Sequence, residues 1–147
     1  MPDPIQTEQV FIVAPTGRDA ELAAQVLAQA GIESRICAGL ADLLASPVMD
    51  VGVLLVSEEA MGTPATLRGM EAWLAAQASW SDLPVVVLSR SGTPDRVAHL
   101  AQLLTAWLGN VMFLERPVRS FILASAVKAA VRARSLTMAS LSFKNCV

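Results

Sequence analysis

The residues able to do chemistry in this chain are few. Ser57 is followed by two adjacent carboxylates, Glu58 and Glu59, and such acids can ligate a hard cation, move a proton or hold a guanidinium. Arg116, followed by Pro117, offers a planar fork of donors shaped for a carboxylate or a phosphate. Ser89 ends an apolar run with a hydroxyl. Thr16, Gly17 and Arg18 invite comparison with an anion cradle at a helix start. Neither GxxxxGK nor GxGxxG is present, however, and the spacing from Thr16 to Asp19 fits a capping box first. His99 is the only histidine, and Cys37 and Cys146 lie far apart with no CxxC. A zinc cluster, a thioredoxin-type pair and a disulfide framework are thereby excluded. His99 reads as a surface residue and Cys37 as a small apolar core residue. Nothing supports a nucleophilic triad.

Positioning these groups falls to a chain of 147 residues, 54% hydrophobic and 16% charged. That length suits one domain burying about 68 to 70% of its unfolded surface, and the composition lacks the signature of disorder. The stretch 97–114 has no Asp, Glu, Lys or Arg, but His99, Gln102, Thr105, Gly109 and Asn110 interrupt it, which argues against a membrane span. Asp3 and Glu8 near the start do not suit a signal peptide. A cytoplasmic location without membrane attachment is expected. The net charge of −2 supplies no basic excess for phosphate backbones, so no nucleic-acid partner is expected.

Four short runs are apolar without alternation: residues 10–13 (VFIV), 51–56 (VGVLLV), 85–88 (VVVL) and 111–114 (VMFL). Such runs predict strands covered on both faces. Residues 32–37 (IESRIC) alternate, which predicts an edge strand. Helical spacing appears between the strands. Over 19–30 it places Leu22, Val26, Leu27 and Ala30 on one stripe, ended by Gly31. Over 64–78 it aligns Leu67, Met70 and Leu74, and over 94–108 Val97, Leu100, Ala101, Leu104 and Leu108. Residues 40–45 allow a short helix, and Pro117 suits the first position of a helix from Val118 to about Arg134. The regular β–α alternation predicts a three-layer, doubly wound α/β fold. Its five-stranded parallel sheet takes the order 2-1-3-4-5, flavodoxin-like. Ligands of such sheets sit at the carboxyl ends of the strands.

With PVVVLS (84–89) closing the fourth strand on a hydroxyl and Arg116-Pro117 closing the fifth, the chain resembles the receiver (CheY-like) domains of two-component response regulators over residues 10–134. The resemblance implies an aspartate at the end of the third strand that accepts a phosphoryl group. It also implies Mg²⁺ held by that aspartate and by an acidic pair ending the first strand, a hard cation that needs several oxygen ligands. Here the acidic-pair positions are Ala14 and Pro15, without side-chain oxygens. The phosphoacceptor position falls on Ser57 or Glu58, and Arg116 stands where the family has a lysine. Ser89, Arg116 and Pro117 match the family's switch positions, where the peptide before the proline is commonly cis.

The expected function is therefore a degenerate receiver in bacterial phosphorelay signalling, acting by protein–protein contact, with no enzyme activity, metal or cofactor. Glu58 would mimic the phosphorylated state by pairing with Arg116, unless Glu58 and Glu59 simply cap or solvate their loop. Two other readings stand beside it. One is a phosphorylatable atypical receiver using Ser57 or Glu58. The other is a small-molecule-binding flavodoxin-like module using the crevice between the first and third strands. A partner face is expected on the last helix, which carries apolar residues around more than one stripe: Val118, Phe121, Ile122, Leu123, Val127 and Val131. Its partner would be a histidine kinase or another signalling protein, or a second copy through the last two helices and last strand. Residues 1–8 and 135–147 are expected to be tails around a domain at 9–134. The second tail either extends the helix, lies over the sheet or is a remnant of processing.

Overall fold

In the computed structural model, residues 9–15, 18–61, 63–76, 83–89, 98, 101–102, 104 and 110–145 are described, the last eleven by their backbone alone. Five strands are present: β1 (Gln9–Val13), β2 (Ser34–Cys37), β3 (Val51–Ser57), β4 (Val85–Ser89) and β5 (Val111–Glu115). All neighbours pair in parallel, in the order β2-β1-β3-β4-β5. This is the expected sheet. Its two-fold side-chain alternation splits the apolar residues between two cores. Phe11 and Val13 of β1 face one core with Leu54, Val56, Val85 and Val87, while Val10 and Ile12 face the other with Val53, Leu55, Val86 and Leu88. Val51 joins the side of Leu54, three residues on, because the β1–β3 register shifts between Gln9 and Val10, opposite Gly52. Glycine tolerates the local bend that such an irregularity demands.

Helices cover both faces. α2 (Leu40–Leu44) and α3 (Pro64–Ala75) close the first core with Leu43, Met70, Trp73 and Leu74. Thr63 caps α3 reciprocally with Thr66, and Trp73 Nε1 donates to the Ser46 carbonyl at 2.7 Å, tying α3 to the turn after α2. α1 (Asp19–Gln29) and α4 (Ser120–Asn145) close the second core with Ala20, Ala23, Leu27, Leu123 and Val127. Gly31, at φ +80°, takes the left-handed conformation that ends α1. Ala98, Ala101, Gln102 and Leu104 are helical, and Leu104 is buried in the first core. The rest of the helix expected over 94–108, His99 included, lies outside the described residues, as do Thr16 and Gly17.

Several expectations change. β5 is an edge strand with Met112 43% exposed, because nothing pairs beyond it among the described residues. Its apolar run resembles that of a central strand only in sequence. Leu22 is 51% exposed, since the small Ala20 and Ala23 bring α1 close to the sheet and turn the inward stripe away from Leu22. The N-cap of α1 is Arg18, with no side-chain cap bond. α4 starts at Ser120, three residues past Pro117, and the Arg116–Pro117 peptide is cis. α4 then continues through residues 135–145, which takes the helical option for that segment. Among the described residues no helix is long and apolar enough to cross a membrane.

Candidate functional site

A parallel sheet gathers the carboxyl ends of its strands along one edge, where each chain turns out towards a helix. β1 ends at Val13 and runs into buried Ala14 and exposed Pro15. β3 ends at Ser57 and β4 at Ser89, which is aligned with Glu115 of β5. Arg116 comes next. Its backbone N–H donates to the Ser89 carbonyl at 3.0 Å, and its Nε approaches the same oxygen at 3.4 Å. The Ser89 hydroxyl, buried, reaches the Leu114 carbonyl at 3.4 Å. The ends of β4 and β5 are thus bound to each other by backbone and side chain together.

The guanidinium of Arg116 extends from this anchor to two carboxylates. Nη1 donates to Asp19 Oδ2 at 2.9 Å and Nη2 donates to Glu59 Oε1. Asp19 belongs to the first turn of α1, and Glu59 to a 3₁₀ turn over Glu58–Met61 that follows β3. The Arg116 and Glu59 side chains are each 20% exposed and that of Asp19 39%. The Glu59 pair is therefore the less screened of the two. Burial alone pushes the Glu59 carboxyl up. The Arg116 hydrogen bond, the Glu59 backbone, the Arg116 charge and the nearby Ser57 hydroxyl outweigh it, and the pKa lies below its usual value. Burial likewise works against the charged form of Arg116, but bonds and charges from Glu59 and Asp19 raise its pKa above the usual arginine value. Glu59 and Arg116 stay ionised at neutral pH.

The expected Glu58–Arg116 pair is replaced by a Glu59–Arg116 pair. Successive residues of a 3₁₀ turn differ in direction by a third of a circle, so Glu58 points inward while Glu59 swings across to the guanidinium. Glu58 is only 3% exposed and Ser57 1%. Glu58 thus does not solvate the loop, and the carboxylates that hold the cation are Glu59 and Asp19. β3 ends at Ser57, paired with Leu88. The residue that sequence reasoning passed over at this site is Asp19, while Glu59 takes the part expected of Glu58. Asp19 was legible in principle: any acid in the first turn of a helix following a strand stands over the sheet's carboxyl edge.

A Mg²⁺ site of the receiver kind does not fit these residues. Ala14 and Pro15 offer no side-chain oxygen, and two nearby carboxylates are engaged by a guanidinium. Among the described residues no group of three His, Cys, Asp or Glu side chains is placed to hold a metal ion. The expected partner face is also redistributed. Leu123 and Val127 are core residues, 6% and 0% exposed, and Val118 and Val131 are partly buried against the same core. Phe121 and Ile122 remain open, at 66% and 40%. A helix lying on a sheet turns one stripe inward, and α4 turns the one through Leu123 and Val127.

No family profile and no curated protein sequence matches the chain. Solved structures do. NtrX from Brucella abortus superposes with a TM-score of 0.71 at 18% identity, over 92% of this chain and 29% of that one. The receiver domain of a putative LuxO repressor protein from Vibrio parahaemolyticus gives 0.66 at 15%, covering 88% and 93%. A CheY-like receiver domain protein from Methanospirillum hungatei gives 0.65 at 14%, covering 87% and 96%. The chain spans about three tenths of the NtrX chain it matches and nearly all of the isolated receivers. These likenesses establish that it has the receiver-domain fold of two-component response regulators.

Proposed function

We propose that the protein is a pseudo-receiver, which works through protein–protein contact in phosphorelay signalling and takes no phosphoryl group on aspartate. The observation that carries this reading is the Arg116 triad. In receivers the cation ending the fifth strand stands near the phosphoryl group. Here its counterpart is already held by Glu59 and Asp19. The β5–α4 corner is thereby fixed by a built-in anion. Ala14, Pro15 and Ser57 complete the argument, since none supplies the carboxylate that a metal-assisted phosphoryl transfer requires. The partner is a histidine kinase or another signalling protein, met on the exposed start of α4 at Phe121 and Ile122. No catalytic activity is assigned to the chain. A Mg²⁺ titration followed by amide chemical shifts tests the reading. Val13, Ala14 and residues 57–59 are expected to show no saturable shift at millimolar Mg²⁺, and a saturable shift at those positions would overturn the proposal.

A further inference from the structure

Charge is unevenly divided along this chain. Residues 116–147 hold six of the eleven Lys and Arg side chains and none of the thirteen Asp and Glu, so the first 115 residues carry five cations against thirteen acids. In the fold the divide falls on α4. Arg119, just before the helix, and Lys128 and Arg132 within it are exposed, and among the described residues no carboxylate pairs with any of the three. A helix without acids cannot neutralise its own cations through pairs three or four residues apart.

Phe121, Ser125, Lys128 and Arg132 follow at spacings of four, three and four residues, which sets them along one stripe. All four are exposed, on the side away from Leu123 and Val127 in the second core. The stripe runs about 16 Å at 1.5 Å per residue. It begins at Phe121, 66% exposed, and ends at two cations one turn apart. Met112 of β5, aligned with Val86, faces the side of the sheet that α4 covers and adds a further exposed apolar side chain. An aromatic anchor flanked by cations matches the residue types that carry binding energy at protein interfaces.

Three occupants differ in what they offer these cations. A second copy of α4 sets cations against cations, because the stripe holds no acid to return. A nucleic-acid duplex or an anionic bilayer extends well past the stripe towards the acid-rich remainder of the chain, and a duplex offers no socket to Phe121. An acidic patch on a protein is small enough to meet the stripe alone, since exposed charges more than about 8 Å away are largely screened at physiological ionic strength. We infer that α4 docks a signalling protein through an acidic surface, on which carboxylates meet Lys128 and Arg132 and an apolar socket receives Phe121. The inference rests on the reading that the start of α4 meets a partner, and adds the chemistry of that partner.

Fluorescence anisotropy of the full chain with three labelled amphipathic helical peptides tests it. The peptides share one apolar pattern and carry Glu, Gln or Lys at every polar position. The Glu peptide is expected to bind at least tenfold tighter than the Gln peptide at about 0.05 M salt and to lose most of that margin at about 0.5 M, with the Lys peptide weakest. Lys128→Glu with Arg132→Glu should weaken the Glu peptide at least tenfold, and Phe121→Ala about fivefold. Arg35→Glu with Arg68→Glu makes the same change in net charge on exposed cations of β2 and α3 and should stay within about twofold. Equal binding of the Glu and Gln peptides, still weakened by Phe121→Ala, would leave the contact face standing and overturn the acidic chemistry. Four other results would overturn the inference and the contact face together: no saturable binding of any peptide, binding untouched by the α4 substitutions, tighter binding of phosphatidylglycerol vesicles or duplex DNA, or self-association that the charge reversal abolishes.

Discussion

At the scale of single residues the decisive feature is which acid meets Arg116. The sequence offers two adjacent glutamates, and a shift of one residue in a 3₁₀ turn separates the one that meets Arg116 from the one that turns inward. Periodicity carries no information on that choice, because the turn is too short to show a pattern. The energetic consequence is testable. Arg116→Gln leaves Glu59 partly buried without its cation and is expected to cost about 1–3 kcal/mol in urea unfolding. A double-mutant cycle with Glu59→Gln should show coupling larger than the cycle with Asp19→Asn, since Asp19 is the more exposed partner. The pH dependence follows from the lowered Glu59 pKa. A carboxyl whose folded pKa is depressed stabilises fully above its unfolded value, about 4.3 for Glu, and loses that contribution as pH falls through the folded value. Acid unfolding of Glu59→Gln should therefore be shallower than that of the parent below about pH 4.3, measured as urea stability against pH. Arg116 stays charged throughout and adds no slope of its own.

Elements were legible where burial and composition agree. β1, β3 and β4 are apolar on both sides because both sides are covered, and the alternating IESRIC marked β2 as an edge. β5 was not legible: VMFL reads like a central strand, yet only position in the sheet decides its exposure. The same holds for α1, where larger side chains suggested the inward stripe but small alanines take it, and Leu22 is left exposed. For α4 the two apolar stripes were visible, while which one faces the sheet is decided by packing against the second core, where Leu123 and Val127 lie. Stability should follow this division. Leu123→Ala is expected to cost about 2–4 kcal/mol by opening a cavity in the second core, and Phe121→Ala to stay within about 0.5 kcal/mol, both read from chemical denaturation. An equal cost for Phe121→Ala would mean that α4 turns its other stripe towards the sheet.

At the scale of the whole molecule, a sheet covered on both faces gathers apolar residues of strands and helices into two cores. The low charge is concentrated in its meaning: at the carboxyl edge of the sheet, carboxylates occur on α1 and after β3, where they hold Arg116, and not at the end of β1. A receiver fold with its cation already satisfied and its metal ligands missing should be indifferent to phosphodonors. The most direct measurement is the intact mass of the protein after incubation with acetyl phosphate and Mg²⁺. The unmodified mass alone is expected, with no Mg²⁺-dependent adduct, whereas a stoichiometric phosphoryl adduct that requires Mg²⁺ would contradict the account.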